Sequence, residues 1–299
     1  MKFANPTNDI AFKKIFGDSH KKEILISLLN AILGFKNNKT IKDVTIVNPY
    51  QVPKIEELKE TILDIKATNQ DNEHFIVEMQ KKDLGNFAKR SLYYTSKAYV
   101  QQLEKGSDYS KLKKVYFIGI LNFDMFSSEN YISRHLILNK ETLTADLDDF
   151  EFTFLELNKF NKKLNQLDSL LDKWVYFLKN TQDLTLIPTE FKNIKAFDEA
   201  FKIATQHTWN KKELDVYDYI ALKEYDEINA IKTAEEKAIK KGIEQGRAKE
   251  KIKVAEGLLL AGVDMQIIIN STGLTEKEVE QLSINLKKTK LNPPPTLTR

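Results

Sequence analysis

The sequence contains no cysteine, which excludes disulfide bonds and thiolate metal sites. It has only four histidines, scattered without the short spacing that zinc ligands show, so we do not expect zinc. No apolar run approaches the roughly 20 residues needed to cross a bilayer. A glycine-rich phosphate loop is also missing. We therefore expect a cytoplasmic protein that binds neither a membrane nor a nucleotide cofactor.

An excess of charge of one sign is absent as well. The 299 residues carry 46 basic and 43 acidic side chains, a net charge of +3. This balance does not by itself indicate nucleic-acid binding, so any basic surface must be local. Charged residues make up 30% of the chain and hydrophobic residues 41%, which is typical of a soluble globular protein. The chain is long enough to bury a sizeable core.

The most informative stretch is a pair of apolar, β-branched runs, Thr61–Ala67 and His74–Gln80, joined by a polar connection. This pattern predicts a β-hairpin with a longer loop. If Asp71 lies at the centre of the loop, Asp64 on the first strand faces Glu78 on the second. Like charges about 5 Å apart destabilise a sheet unless something neutralises them. A hard divalent cation, which takes oxygen ligands, is the simplest such agent.

The alternation of side chains along a strand predicts that Asp64 and Lys66 share one face, and that Leu63 and Ile65 share the other. A plainer interpretation of the hairpin acids stays open, because acids on strands are often the solvent face of a half-buried sheet. A slip of one residue in the pairing register would also exchange the two faces.

Beyond the hairpin, hydrophobic patterning predicts further helices and strands. Two helices come first, the first capped by Thr7 or Asn8. A helix over 86–104 has Leu92 and Ala98 among its buried positions, and a long amphipathic helix follows from residue 161. Strands are predicted at 45–52, 114–122, 131–139 and 150–157. Strand, helix and strand in this order indicate an α/β core in which helices flank a mixed central sheet.

Asp64 followed by the run Glu78-Met79-Gln80 on the next strand resembles the pattern of the PD-(D/E)xK nuclease superfamily. Residues 5–17 (NPTNDIAFKKIFG) resemble one branch of it, the Rpn family of recombination-promoting nucleases, also called PD-(D/E)xK family transposases. Residues 89–94 and 241–248 fit the same branch. A lone acidic triplet is common, but four stretches in this order are more specific.

The resemblance implies a restriction-endonuclease-like α/β core followed by an all-helical C-terminal region. It implies a Mg²⁺- or Mn²⁺-dependent DNA endonuclease that hydrolyses phosphodiester bonds and is associated with recombination or mobile elements. Asp64 and Glu78 would hold the metal, and Gln80 would take the catalytic position where a lysine is common. Because Gln80 is neutral, a catalytically inactive DNA-binding or assembly protein of the same fold is the alternative.

The resemblance also suggests residues outside the hairpin. An acid on the first helix often completes the site in the superfamily, and Asp9 is the candidate, with Glu23 as its rival. Asp9 has a second interpretation, because an acid also favours the positive N-terminal end of a helix. The resemblance implies that the helix after the hairpin crosses above it, so Arg90 and Tyr93 would contact phosphate. We also assign Lys13 to DNA or phosphate binding.

We expect five segments: a nuclease core at 1–158, a helical extension at 159–232, a charged connecting helix at 233–257, a small helix-turn-helix-like module at 258–290 and a disordered tail at 291–299. Gly242 and Gly246 are four residues apart on one face of the connecting helix. Small residues at this spacing permit close helix approach, although each glycine costs about 1 kcal/mol against alanine. A solvated single helix and a self-association helix are both compatible with this pattern, and we expect a homodimer.

Overall fold

The computed structural model describes residues 1–47, 50–51, 61–83 and 85–291. The chain begins with two helices, α1 (Asp9–Phe16) and α2 (Lys22–Leu33). Asn8 caps α1, as one of the two predicted caps, because its side-chain oxygen accepts the Ile10 N–H at 3.2 Å. The helix α2 ends at Gly34, whose φ of +68° is the left-handed conformation that glycine adopts without steric cost.

Within the described residues eight strands follow, in the order β1 (Val44–Val47), β2 (Tyr50–Gln51), β3 (Thr61–Ile62), β4 (Ile65–Asn69), β5 (His74–Gln80), β6 (Val115–Leu121), β7 (Ile132–Ile137) and β8 (Leu147–Glu156). Six of them form one sheet in the order β1-β4-β5-β6-β8-β7, and β2 pairs with β3. The sheet is mixed, since β5, β6 and β8 run parallel and the other neighbours antiparallel. The predicted strand at 45–52 overlaps β1 and β2, and its residues 48, 49 and 52 lie outside the described residues.

The hairpin of β4 and β5 has the predicted register. Ile65 lies opposite Val77 and Lys66 opposite Ile76, as expected from a loop centred on Asp71. The predicted faces were wrong at one position, because Leu63 packs in the same hydrophobic cluster as Ile76 and not in that of Ile65. The chain leaves strand geometry between β3 and β4, so the alternation of side chains is interrupted there.

One face of the sheet packs against α1, α2 and two later helices, α4 (Leu170–Asn180) and α5 (Lys195–Ala204). Aromatic rings join them, with Trp174 at 5.7 Å from Phe16 and 4.1 Å from Phe197 between ring centroids. The predicted helix from residue 161 was too long at its start. Ser169 begins α4 instead, because its hydroxyl accepts the Asp172 N–H at 3.0 Å while Asp172 accepts the Ser169 N–H.

The other face of the sheet is covered by α3 (Phe87–Val100). The buried residues of α3 are small apart from the first, and they are Phe87, Ser91, Thr95 and Ala98. Leu92, predicted to be buried, is exposed because Ser91 and Thr95 turn towards the sheet in its place. These small side chains let the backbone of α3 approach the sheet closely, so neighbouring residues of α3 are also brought close to the strands.

A glycine in β6 makes room for this contact. A Cβ built on Gly119 would lie 2.8 Å from the Phe154 ring, which is closer than real Cβ contacts, and 3.1 Å from the Phe87 ring, which is unusually tight. Gly119 is also the β6 residue paired with Glu78 of β5. The absence of a side chain at Gly119 therefore lets Phe87, in the first turn of α3, pack next to the strand position paired with Glu78.

Residues Met1–Ala221 form one compact unit, and a second unit begins at Leu222. Residues of the predicted helical extension share the core of the sheet, and the boundary near residue 158 stays a prediction. The predicted connecting helix at 233–257 lies within one longer helix, α6 (Lys211–Leu260), which Gly242 and Gly246 do not interrupt.

The second unit also contains α7 (Met265–Thr272) and α8 (Glu276–Leu291), and it has a small core of its own around Ala255, Ile268 and Val279. Residues 292–299 of the predicted tail lie outside the described residues. Among the helices of the described residues, none combines the length and apolar character that crossing a membrane requires.

We expect Gly119→Ala to destabilise the chain by about 1–3 kcal/mol, because the new methyl group overlaps two packed rings. Chemical denaturation at equilibrium measures the change. Gly257→Ala in α6 is the matched control, since no atom lies within 4 Å of the added carbon there. The control should be neutral or stabilising, as alanine is favoured in a helix. Equal effects of the two substitutions would contradict the packing described here.

Candidate active site

Each of the two hairpin carboxylates, Asp64 and Glu78, accepts a hydrogen bond from the main chain of the segment that carries the other. The Asp64 N–H donates to Glu78 Oε1 at 3.1 Å, and the Met79 N–H donates to Asp64 Oδ2 at 2.8 Å. The Asp64 side chain therefore accepts a main-chain hydrogen bond from β5 at the point where the strand pairing is interrupted. The structure brings Asp64 and Glu78 together as their opposed positions predicted.

Both acids are shielded from water, with 4% of Glu78 and 15% of the Asp64 side chain exposed. Burial, followed by the charge of Asp64, raises the pKa of Glu78 to about 8. Burial also raises the pKa of Asp64 above its ordinary value, although the Met79 N–H and Lys13 act in the opposite direction. The solvent-face interpretation of these acids was therefore wrong: the pair lies in a setting that favours a proton or a cation.

Lys13 of α1 contacts this pair. Its Nζ lies 3.3 Å from Asp64 Oδ1 and 2.8 Å from Asp9 Oδ1. Burial acts to lower the pKa of Lys13, but the hydrogen bond that Lys13 donates to Asp9 and the charge of Asp64 outweigh it and raise the pKa. Asp9 thus joins the site through Lys13. Its rival Glu23 lines a surface pocket with His20 instead.

Gln80 and Arg90 extend the site towards α3. Gln80 Nε2 donates to Glu78 Oε2 at 3.4 Å, and Arg90 Nη2 donates to Gln80 Oε1 at 3.0 Å. The guanidinium of Arg90 lies 5.0 Å from the centroid of the Phe87 ring, the same ring that fills the space over Gly119. Its Nε is buried without a hydrogen-bond partner among the described residues.

Tyr94 is a site residue that the sequence reasoning missed in favour of Tyr93. Burial, followed by the charge of Glu78, raises the pKa of Tyr94, while Arg90 opposes the shift. The exposed ring of Tyr93 has Lys97 above it and stands edge-on to Tyr94, so its role in phosphate binding stays a prediction. The spacing offered a signal, because a residue four positions after Arg90 lies on the same side of a helix.

The donors at the site fit a hard divalent cation. Asp64 and Glu78 offer carboxylate oxygens, and Mg²⁺ is commonly bound by one or two carboxylates plus waters. Clusters of three or more His, Asp or Glu side chains suited to a metal do not occur within the described residues, so a carbonyl and water would complete the shell. The raised pKa of buried Glu78 supports this fit, since a cation would favour its ionised form.

The family model for PD-(D/E)XK nuclease family transposases matches residues 6–234. The chain belongs to this family. The match confirms the family predicted from the sequence, and the mixed sheet with flanking helices and a helical C-terminal region fits the fold of these proteins. Membership in the PD-(D/E)XK nuclease family transposases points to nuclease activity linked to mobile elements. No curated protein and no solved structure matches the chain.

The raised pKa of Glu78 predicts how the stability of the metal-free protein depends on pH. The folded-state pKa of about 8 exceeds the ordinary value of 4.5, so the folded state binds the proton more tightly than the unfolded state does. The resulting stabilisation is fully present below pH 4.5 and is lost as the pH rises towards 8. We expect Glu78→Gln, which stays neutral, to lack this dependence.

Denaturant unfolding in a chelator, at several pH values across this window, measures the effect. The free energy of unfolding of the unsubstituted chain should fall relative to that of Glu78→Gln as the pH rises. Glu129→Gln, at an exposed glutamate, should follow the unsubstituted chain. Parallel pH profiles for Glu78→Gln and the unsubstituted chain would contradict the prediction.

Proposed function

We propose that this PD-(D/E)XK nuclease family transposase is a Mg²⁺- or Mn²⁺-dependent DNA endonuclease that hydrolyses phosphodiester bonds during recombination or the movement of mobile elements. The observation that carries the proposal is the buried pair of Asp64 and Glu78, joined by hydrogen bonds of 2.8 and 3.1 Å through β5 and the segment before β4. Both pKa values are raised, so the pair is poised for a cation.

A divalent cation held by Asp64 and Glu78 would lower the pKa of a bound water and offset charge on the phosphate. The protein contributes ligands that are already oriented. Asp64 Oδ2 accepts the hydrogen bond from the Met79 N–H. Asp64 Oδ1, which contacts Lys13, is the oxygen that would bind the cation in place of the lysine. An ammonium released from Asp64 would be available to a phosphate of the DNA, which is the role assigned to Lys13 from the sequence.

Arg90 supplies the positive charge that Gln80 lacks. An amide is neutral near pH 7, so Gln80 can orient a water or a phosphate oxygen but cannot neutralise it. Arg90 donates to Gln80 through Nη2 and is held by the Phe87 ring, so its charge is placed beside the residue that replaces the usual lysine. A planar guanidinium also suits phosphate, to which it can donate two hydrogen bonds.

The second candidate function is a catalytically inactive protein that keeps DNA binding or an assembly role. The observation in its favour is Gln80, since the lysine common at this position is missing. The geometry around Gln80 weighs against it, because Arg90 restores a positive charge at 3.0 Å from the amide oxygen. Two buried carboxylates without a cation would also be a continuing cost to such a protein.

We also propose that the chain acts as a homodimer. Two active sites can cut both strands of a duplex in one encounter, and a two-fold symmetric dimer places two copies of one site in equivalent positions. In this proposal residues 1–158 contain the chemistry, 159–232 support it and 258–290 form a small packing or DNA-binding module. The four-residue spacing of Gly242 and Gly246 in the connecting helix at 233–257 supports self-association.

We expect Asp64→Asn and Glu78→Gln each to lower Mg²⁺-dependent DNA cleavage by more than about 100-fold, the upper range for a residue that only supports a metal ligand. These isosteric changes are preferable to alanine, since asparagine can still accept the Met79 N–H. Plasmid nicking measures activity, and calorimetric titration measures metal binding. Asp71→Asn in the hairpin loop is the control and should cut normally. Full cleavage by Asp64→Asn would refute the site.

The role of Arg90 is tested by moving the positive charge. Arg90→Gln should slow cleavage about 10–100-fold while metal binding persists, because Arg90 contacts Gln80 rather than the metal ligands. Gln80→Lys should retain activity on its own and should rescue Arg90→Gln, since it returns the charge to β5. Lys97→Gln, two turns further along α3, controls for the loss of a cation from this helix. The absence of rescue in the double variant, despite normal metal binding, would count against the assignment.

A further inference from the structure

One stripe of α6 exposes large apolar side chains to solvent. Tyr225, Ile228 and Ile239 are 63%, 52% and 63% exposed. Positions spaced alternately three and four residues apart lie along one side of a helix, as in a coiled coil. The stripe continues on that rule, and its members from the N-terminal end are Tyr225, Ile228, Lys232, Glu235, Ile239, Gly242 and Gly246.

The glycines of this stripe have no role within the described part of the chain. A Cβ on Gly242 or Gly246 would meet no atom of the described residues within 4 Å, so neither glycine makes room for a neighbour among them. Each lies in the interior of a continuous helix, where glycine costs about 1 kcal/mol against alanine. Their missing side chains therefore leave space on the outer surface beside the exposed apolar residues.

Charge along this part of α6 is divided into two halves of opposite sign. Residues 222–236 contain five acidic and two basic side chains, whereas residues 237–253 contain seven basic and two acidic ones. A second copy of the helix in antiparallel orientation places unlike halves side by side, and a parallel copy places like halves together. Complementary charge of this kind selects the partner and its orientation.

We propose that α6 pairs with α6 of a second copy of this chain in antiparallel orientation, with Tyr225 opposite Gly242, Ile228 opposite Ile239 and Lys232 opposite Glu235. Two-fold symmetry makes each of these contacts occur twice. In this register the tyrosine ring takes the space beside the glycine, the isoleucines bury each other and the charged layer is neutral. A parallel pair would instead oppose Lys232 to Lys232 and Glu235 to Glu235.

The pairing specifies the interface of the dimer proposed above, and it does not depend on catalysis. The carboxylates of the candidate active site lie in the hairpin, whereas the paired residues lie between 225 and 246. The Asp64→Asn chain should therefore associate as the unsubstituted chain does. This variant separates failure of the interface from failure of the proposed nuclease activity.

Exchange of charge tests the register. Lys232→Glu places a glutamate opposite Glu235 of the other copy, and Glu235→Lys places a lysine opposite Lys232, in both cases at two symmetry-related contacts. Each substitution should therefore raise the dissociation constant of the full-length dimer about tenfold. The variant with both changes should recover association. Lys241 and Glu244 have the same order and spacing but face away from the stripe, so their exchange, singly or together, should leave association unchanged. Sedimentation equilibrium of the full-length chain measures all of these.

Crosslinking tests the orientation, and the absence of natural cysteines makes it direct. A mixture of Ile228→Cys and Ile239→Cys chains should form disulfides that join residue 228 of one copy to residue 239 of the other. Disulfides between two copies of residue 228 would show a parallel pair and overturn the proposal. It would also be overturned by a monomer at about 10 μM, where a specific dimer is expected to persist, or by single charge exchanges that leave association unchanged.

Discussion

Two carboxylates that share one buried, hydrogen-bonded position repel each other whenever both are ionised. The first unit of this protein is arranged around that repulsion. One cationic side chain arrives from each face of the sheet, since α1 brings Lys13 to Asp64 and α3 brings Arg90 to Gln80, beside Glu78. The flexible lysine contacts the Asp64 carboxylate directly, whereas the arginine lies over the Phe87 ring and contacts the Gln80 amide. These two arrangements suit different tasks, an exchangeable counter-ion and a fixed charge.

The backbone of the site was predictable from local signals. The polar loop around Asp71 set the register that brings Asp64 beside Glu78, and the dense apolar run of β6 identified a central strand. Asn8 and Gly34 marked helix ends through preferences that belong to single residues. Signals of this kind act over a few residues, so a single sequence contains them.

Features that depend on how α3 crosses the sheet were not predictable. The contact between Arg90 and Gln80 requires the Phe87 ring to lie over Gly119. The residues next to Phe87 and Gly119 in the sequence do not predict that these two lie together. Leu92 is exposed and Ser91 is buried for the same reason, because the helix lies so close to the sheet that a small side chain is favoured between them. Leu63 lies on the face opposite to the predicted one because the strand is interrupted between β3 and β4, which regular alternation of side chains does not predict. Long-range packing, rather than propensity, determined these positions.

The hydrogen bond from the Met79 N–H to the Asp64 carboxylate limits which substitutions at position 64 can be inherited without loss of folding. An aspartate that accepts a main-chain hydrogen bond from β5 cannot be lost freely, because most replacements leave the main-chain donor without an acceptor. Asparagine is the exception, since it keeps an oxygen in the same place, and one nucleotide substitution converts an aspartate codon to it. If Asp64 holds the metal as proposed, a descendant that folds but has lost this function is thus a single mutational step from this chain, and selection on folding alone would not remove it.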